Sequence, residues 1–203
     1  MPGSCRVARR PPSQTWRTFL QNHLADLISV DFFVVPTATF RVLYVFVVLL
    51  HHRRKVVHFN VTDSPTADWT EQQIVEAFPE DSARRYLLRD RDNIYGCEFR
   101  RRVKSMGIAE VLTAPRSPWQ NPFAERVIGT FRRELFDHVI VMNEAHLRRR
   151  LRSYLLYYHG SRTHLALEKD APEQRAVELP VHGRIVALPL VFGLHHRYFR
   201  SAA

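Results

Sequence analysis

Cysteine is nearly missing from this chain: Cys5 and Cys97 are the only two in 203 residues. They give neither a disulfide framework nor a zinc-ligand spacing, and the shortage fits a reducing cytosol; Cys97 reads as a small core or helix-start residue. Long apolar runs are missing too. The longest, residues 42–50, is far short of the ~20 residues a membrane-spanning helix needs, and it reads as a buried strand. Residues 6–18 are Arg-rich and lack the apolar segment of a secretory signal, so a cytoplasmic chain with no membrane partner is expected. Negative charge is the third shortage, with 20 acidic residues against 30 Lys and Arg, a formal charge of +10 and an isoelectric point near 10.3. Such a chain concentrates phosphate around itself, as nucleic-acid-binding proteins do. Ribosomal and membrane-surface proteins are also basic, so charge alone supports only a class.

The length suits one main domain with short extensions, and 45% apolar residues can bury a real core. Residues 1–24 read as a basic N-terminal extension whose first 14 residues, rich in Arg and Pro, are disordered or a linker stub. A main domain is expected over residues 25–172, followed by a tail, 173–203, with one or two short strands over 185–199. Within the main domain a short helix over 16–25 leads to strands over 27–35, 41–51 and 55–62. A helix over 67–78 follows, with Ile74, Val75 and Phe78 at helical spacing. Next come a strand ending at Asp90, a helix over 96–106, a short strand over 109–113 and an irregular loop over 115–120. Two long helices follow, the first capped by Asn121 and opened by Pro122, the second over 143–159 with Leu147, Leu151, Tyr154, Leu155 and Tyr158 as its core stripe.

Three carboxylates stand out against this pattern. Asp31 interrupts an almost unbroken apolar strand, which is expected to be covered on both faces. An unpaired buried carboxylate costs several kcal/mol or protonates, and a divalent cation removes that penalty because hard oxygen ligands suit Mg²⁺ or Mn²⁺. A salt-bridged or strand-end Asp is the plain alternative for Asp31 taken alone. Asp90 ends a second strand in the charged, turn-rich run Arg89-Asp-Arg-Asp-Asn93. Glu125 lies in the first turns of the helix opened by Pro122, with 34 residues between it and Asp90.

Together these blocks resemble the integrase catalytic core of DDE transposases and retroviral-type integrases. The family pattern is a strand Asp, a second Asp followed by a small turn and an aromatic, and about 35 residues later a Glu behind an Asn-Pro helix start. Asp90-Arg-Asp-Asn-Ile-Tyr95 with Phe99 is similar to the second block, and Ser117-Pro-Trp-Gln-Asn-Pro-Phe-Ala-Glu125 to the third. Tyr158-His-Gly-Ser-Arg162-Thr-His164-Leu-Ala-Leu167 with Pro172 resembles the signature closing the bacterial insertion-sequence version of the domain. The resemblance spans roughly residues 27–172. It implies an α/β, RNase H-like fold with a central mixed five-stranded sheet flanked by helices. One departure is Asp92, where the family usually has Gly. Glycine would supply positive-φ freedom there, which Asp tolerates, so the turn is expected to survive. Asp92 competes with Asp90 as a ligand; Asp90 is favoured because it directly follows the strand and aligns with the motif.

The resemblance implies metal-dependent DNA cleavage and strand transfer. Asp31, Asp90 and Glu125 would act as catalytic residues holding two Mg²⁺ (or Mn²⁺) ions, Asp31 bridging them. No Ser or Tyr nucleophile is required. DNA is the implied partner, with Arg116, Trp119, Arg126, Arg132 and Arg133 as candidate contacts, a homo-oligomer assembled on DNA, and a nucleoid-associated location. Arg132 and Arg133, seven and eight residues beyond Glu125, are expected on roughly its face; a solvated helix face is the bland alternative for any one Arg. Trp119 would stack on a base or pack against its own domain. His164 would contact phosphate or, more plainly, hold the terminal turn by hydrogen bonding. The His195-His196 pair has no third ligand at metal spacing. Only thirty residues precede Asp31, which leaves no room for a DNA-end-reading module. The alternatives are therefore a truncated, noncatalytic DNA-binding transposase remnant, or an RNase H-like nuclease that cuts without joining.

Overall fold

The computed structural model describes residues 14–79 and 84–202; the expected disorder of residues 1–14 falls, apart from Gln14, outside them. Strands β1 (Leu27–Pro36), β2 (Val42–Leu50) and β3 (Lys55–Thr62) form an antiparallel meander. Their β-branched and aromatic runs are buried on both faces in the sheet centre, which is why the sequence shows apolar runs there and not alternation. Strands β4 (Tyr86–Arg89) and β5 (Ala109–Leu112) add in parallel, giving the order β3-β2-β1-β4-β5. This is the mixed five-stranded sheet of the RNase H-like fold.

Period-two alternation along β1 assigns its residues to two layers. Ile28, Val30 and Phe32 face one cluster, closed by Ile74 and Phe78 around helix α2 (Ala67–Ala77) and by Phe99 and Val103 of helix α3 (Cys97–Ser105). Phe33 and Val35 face the other, built on Val127, Ile128 and Phe131 of helix α4 (Pro122–Glu134) and Leu147, Leu151, Tyr154 and Tyr158 of helix α5 (Glu144–Gly160). Asp31, in step with Phe33 and Val35, is thereby on the α4 side of the sheet. The N-terminal helix α1 (Trp16–Asn22) is shorter than the expected 16–25. Leu20 of α1 packs on Leu27 and Leu88, and the Trp16 Nε1 donates to the Gln120 carbonyl at 3.1 Å, tying α1 to the loop before α4.

The tail is a hairpin of β6 (Arg184–Leu190) and β7 (His195–Ser201). It leans on the core: Val191 is buried in the α4–α5 cluster, His195 stacks on Tyr157 at 4.4 Å and bonds the Glu134 carbonyl through Nε2 at 2.8 Å. No helix among the described residues is long and apolar enough to cross a membrane.

One ion pair fixes the end of β4. Arg89, with a side chain only 4% exposed, pairs with Glu110 on β5 at 2.6 Å, donates to the Asp90 carbonyl at 2.8 Å and lies over the rings of Tyr95 and Phe99. Glu110→Gln leaves a buried guanidinium short of its counter-charge. A loss of about 3–5 kcal/mol is expected, read as a lower denaturant midpoint at unchanged slope.

Candidate active site

The parallel register places the first two carboxylates. Leu27, Ile28 and Ser29 pair with Tyr86, Leu87 and Leu88, so the same register carried two residues further brings Asp31, within β1, level with Asp90, which directly follows β4. Both follow the alternation to the α4 side. This is the carboxyl end of the parallel strands, where the order changes direction and where open α/β sheets bind ligands. Helix α4 brings Glu125 over the same edge in its first turn. Asp31, Asp90 and Glu125 line one cleft of about 400 Å³, together with Arg91, Asp92, Arg116, Ser117 and Asn121.

Electrostatics single out Asp31. Burial, then the charges of Glu125 and Asp90, push its carboxyl up to about 7, against a bond from the Phe32 backbone N–H and the charge of Arg132, which lower it. That N–H donates to Oδ1 at 2.8 Å. Asp90 and Glu125 are exposed. Asp92 also reaches the cleft, but its Oδ1 accepts the Ile94 N–H at 3.0 Å while its own N–H donates to Asp90 Oδ1 at 3.1 Å. It is thus a turn-forming residue. The positive φ expected at this position is not adopted: residue 92 is outside the positive-φ set among the described residues. The turn closes through the Tyr95 N–H to the Asp92 carbonyl at 3.2 Å, a geometry that demands no glycine at 92.

Asn121 corrects a second expectation. It occupies the N-cap position of α4, with Pro122 following, but its ψ of 54° lies outside the extended range of capping residues and its side chain makes no cap bond. The residue is 5% exposed, and its Oδ1 is buried with no partner on the cleft wall. The loop before it is held otherwise. Gln120 Oε1 accepts the Ala114 N–H at 2.6 Å, residues Pro118–Gln120 make one 3-10 turn, and Arg116 adopts a φ of 55°, a conformation that costs a non-glycine residue on the order of 1 kcal/mol. The sequence did not single out Asn121 or Arg91 as cleft residues; their place in the two motif blocks was the available signal.

The arginines of α4 divide. Arg132 is one heptad on from Glu125, and its charge acts on Asp31. Arg133 does not share that face; it lies with Arg126, also one heptad apart, on the other flank of the helix, lining a separate cavity. The 100° step per residue separates the two columns. Trp119, 68% exposed, lines a third hollow with Trp16, Phe123, Arg54 and Arg126, so its ring is presented to solvent and not packed away. His164 is half-buried, its ring within hydrogen-bonding distance of Arg162 (3.3 Å) and edge-on to Tyr158; its backbone bridges to Asp170.

The donors fit a hard cation. All the polar groups aimed into the cleft are oxygen donors or guanidinium groups, Asn121 Oδ1 is an orphan, and Asp31 is destabilised by carboxylates that a cation would offset. Among the described residues no three His, Cys, Asp or Glu side chains form a ready-made metal cage. A site of this kind needs only one or two carboxylates with waters and substrate oxygens, and three uncompensated carboxylates repel one another.

Residues 106–172 match the integrase core domain family. No curated protein matches the chain by sequence. Among solved structures, the HTLV-2 integrase catalytic core domain in complex with magnesium (dimeric form) superposes with a TM-score of 0.59 at 12% identity, covering 74% of this chain and 94% of that one. The catalytic core domain of BIV integrase gives 0.53 at 16% identity, covering 73% and 91%. The catalytic domain of Mos1 mariner transposase gives 0.54 at 12% identity, covering 70% and 77%. The fold is that of integrase and transposase catalytic cores.

Proposed function

We propose that this chain, with its integrase-type core, is a DDE transposase or integrase core that cuts DNA ends and joins their 3′-hydroxyls to a target strand. The observation that carries the reading is the convergence of Asp31, Asp90 and Glu125 on one cleft at the carboxyl edge of the parallel strands. Asp31 would stand between the other two carboxylates, and Mg²⁺ or Mn²⁺, as two ions, would be held by these three residues. Such ions, when bound, polarise a phosphoryl oxygen and generate an oxygen nucleophile at neutral pH.

The chain's own residues supply the remaining work. Arg116 and Arg132, with Arg91, surround the carboxylates with positive charge and would hold the scissile phosphate over them. Burial of Asp31 and the rigid strand pair under it fix the ligand oxygens in advance, which favours a precise phosphoryl geometry. Trp119 offers an exposed aromatic face to an unpaired base. Arg126 and Arg133 extend the basic surface round α4. Assembly as a multimer on DNA fits this reading, as the simian T-cell lymphotropic virus neighbour is an intasome (TM-score 0.57, 15% identity, covering 87% of this chain and 67% of that one).

Incubating the protein with labelled DNA ends and Mn²⁺ separates the readings. Joined products are expected. Cut products alone would favour an RNase H-like nuclease, and retention of DNA with neither product would favour a noncatalytic DNA-binding remnant.

A further inference from the structure

Four arginines from three separated parts of the chain meet at a flank of α4 about 100° round from the Glu125 face. Arg54 comes from the turn after β2, Arg126 and Arg133 from α4, and Arg162 from the segment after α5. With His164, Tyr158, Thr130, Val127 and Phe123 they line a cavity of about 240 Å³. No carboxylate lines it. Arg162 is neutralised by Glu134, which it grips through two nitrogens at 2.6 and 2.8 Å. Arg54, Arg126 and Arg133 pair with no carboxylate among the described residues. Three positive charges therefore share a small cavity without a counter-ion.

Arg54 shows that this crowding is built. Its backbone takes a φ of 55°, which costs an L-residue on the order of 1 kcal/mol, and the buried Tyr158 hydroxyl pins that conformation by donating to the Arg54 carbonyl at 3.0 Å. The guanidinium is laid over the Phe123 ring at 4.7 Å, and its Nε is buried with no hydrogen-bond partner. A buried N–H left unmade costs ~1–3 kcal/mol. Burial and the charge of Arg126 both depress the basicity of Arg54, and His164 is lowered to about 4 by burial and by Arg162 and Arg54. The crowded charge and the unmade Nε bond are relieved by one event, the arrival of an anion.

We propose that this cavity is a phosphate site, separate from the acidic cleft, in which Arg54, Arg126 and Arg133 grip a tetrahedral phosphate. Planar guanidinium forks suit phosphate oxygens, and the cavity borders the Trp119 hollow, with which it shares Arg54, Phe123 and Arg126. A strand phosphate seated there would place its neighbouring base near the exposed ring of Trp119. The DNA backbone is thus one source, resting on the proposed function; free phosphate or pyrophosphate is the other.

The test uses the intact chain, inorganic pyrophosphate, and a short DNA with an unpaired end. Arg126→Gln with Arg133→Gln is compared with the charge-matched pair Arg149→Gln with Arg152→Gln, exposed on α5. These surface changes alter stability little, and Arg54→Lys provides a second variant that keeps charge and loses the fork. Pyrophosphate is expected to bind the parent and the α5 variant saturably in calorimetry, and the pocket variants at least tenfold more weakly. With DNA, the pocket pair should flatten the slope of log affinity against log salt by about two, and pyrophosphate should compete with the DNA. Loss of pyrophosphate binding with unchanged DNA affinity would support a phosphate site fed from solution and overturn the DNA source. Absence of saturable pyrophosphate binding, or equal binding by the pocket variants, would overturn the proposal. Loss of cleavage with pyrophosphate binding intact bears only on the acidic cleft.

Discussion

Asp31→Asn, Asp90→Asn and Glu125→Gln are each expected to slow metal-dependent cleavage of DNA ends by ~10³-fold or more. On the proposed reading each substitution removes one anionic oxygen from a set that would stabilise a phosphoryl transition state, an effect of several kcal/mol, and each 1.36 kcal/mol is tenfold in rate. The three losses should not add, because the carboxylates act as one unit. DNA affinity should persist in all three and, with repulsion from phosphate reduced, rise slightly at low salt. Asp92→Asn makes the contrast: its Oδ1 is engaged with the Ile94 N–H and asparagine can accept the same bond, so activity should stay within about tenfold of the parent. Single-turnover rates with Mn²⁺ check the set, and an Asp92 effect equal to that of Asp90 would exchange their roles.

The second large effect is on stability. The Asp31 carboxyl, ordinarily near 3.8, is pushed up to about 7 in the fold by burial and by Glu125 and Asp90. Between those two pH values the folded state binds more protons than the unfolded state, so without metal stability falls as pH rises from about 4 to about 7 and levels off above. The fall is on the order of a few kcal/mol. Asp31→Asn should flatten this profile and make the metal-free protein more stable at pH 8, while cleavage is expected to be lost. Mn²⁺ should raise the parent's melting temperature most above pH 7 and leave Asp31→Asn nearly unmoved. Thermal melts across pH with chelator or Mn²⁺ read both. A parent profile that rises from pH 4 to 7 without metal would show that the charge on Asp31 is already compensated by other groups.

Much of this was legible before the structure. The apolar runs at Leu27–Pro36 and Val42–Leu50 announced central strands because residues covered on both faces need no alternation. Asn121-Pro122 announced the start of α4 because proline is harmless where no intrahelical N–H is needed. The meeting of Asp31, Asp90 and Glu125 on one cleft matches the motif blocks that carry the family resemblance. Local backbone angles were not legible. Asn121 has a ψ of 54° and makes no side-chain cap bond, and the backbone of Asp92 does not take the positive φ that favours glycine. On α4, Arg133 is about 100° round from Arg132 and lines another cavity with Arg126. The union of Arg54 with Arg162 was unreadable, because their meeting depends on Tyr158 reaching back to the β2–β3 turn, a contact no local pattern encodes.

The central claim is that Asp31, Asp90 and Glu125 jointly hold divalent cations in the cleft beside the middle of β1 and the end of β4. Anomalous diffraction from crystals soaked in Mn²⁺ with a DNA end bound tests it most directly. The account predicts one or two manganese peaks in the cleft, with oxygens of Asp31 and Asp90 about 2.1 Å away and Glu125 drawn in to complete the second site. A cleft without a peak at saturating Mn²⁺, its carboxylates still apart, would contradict it.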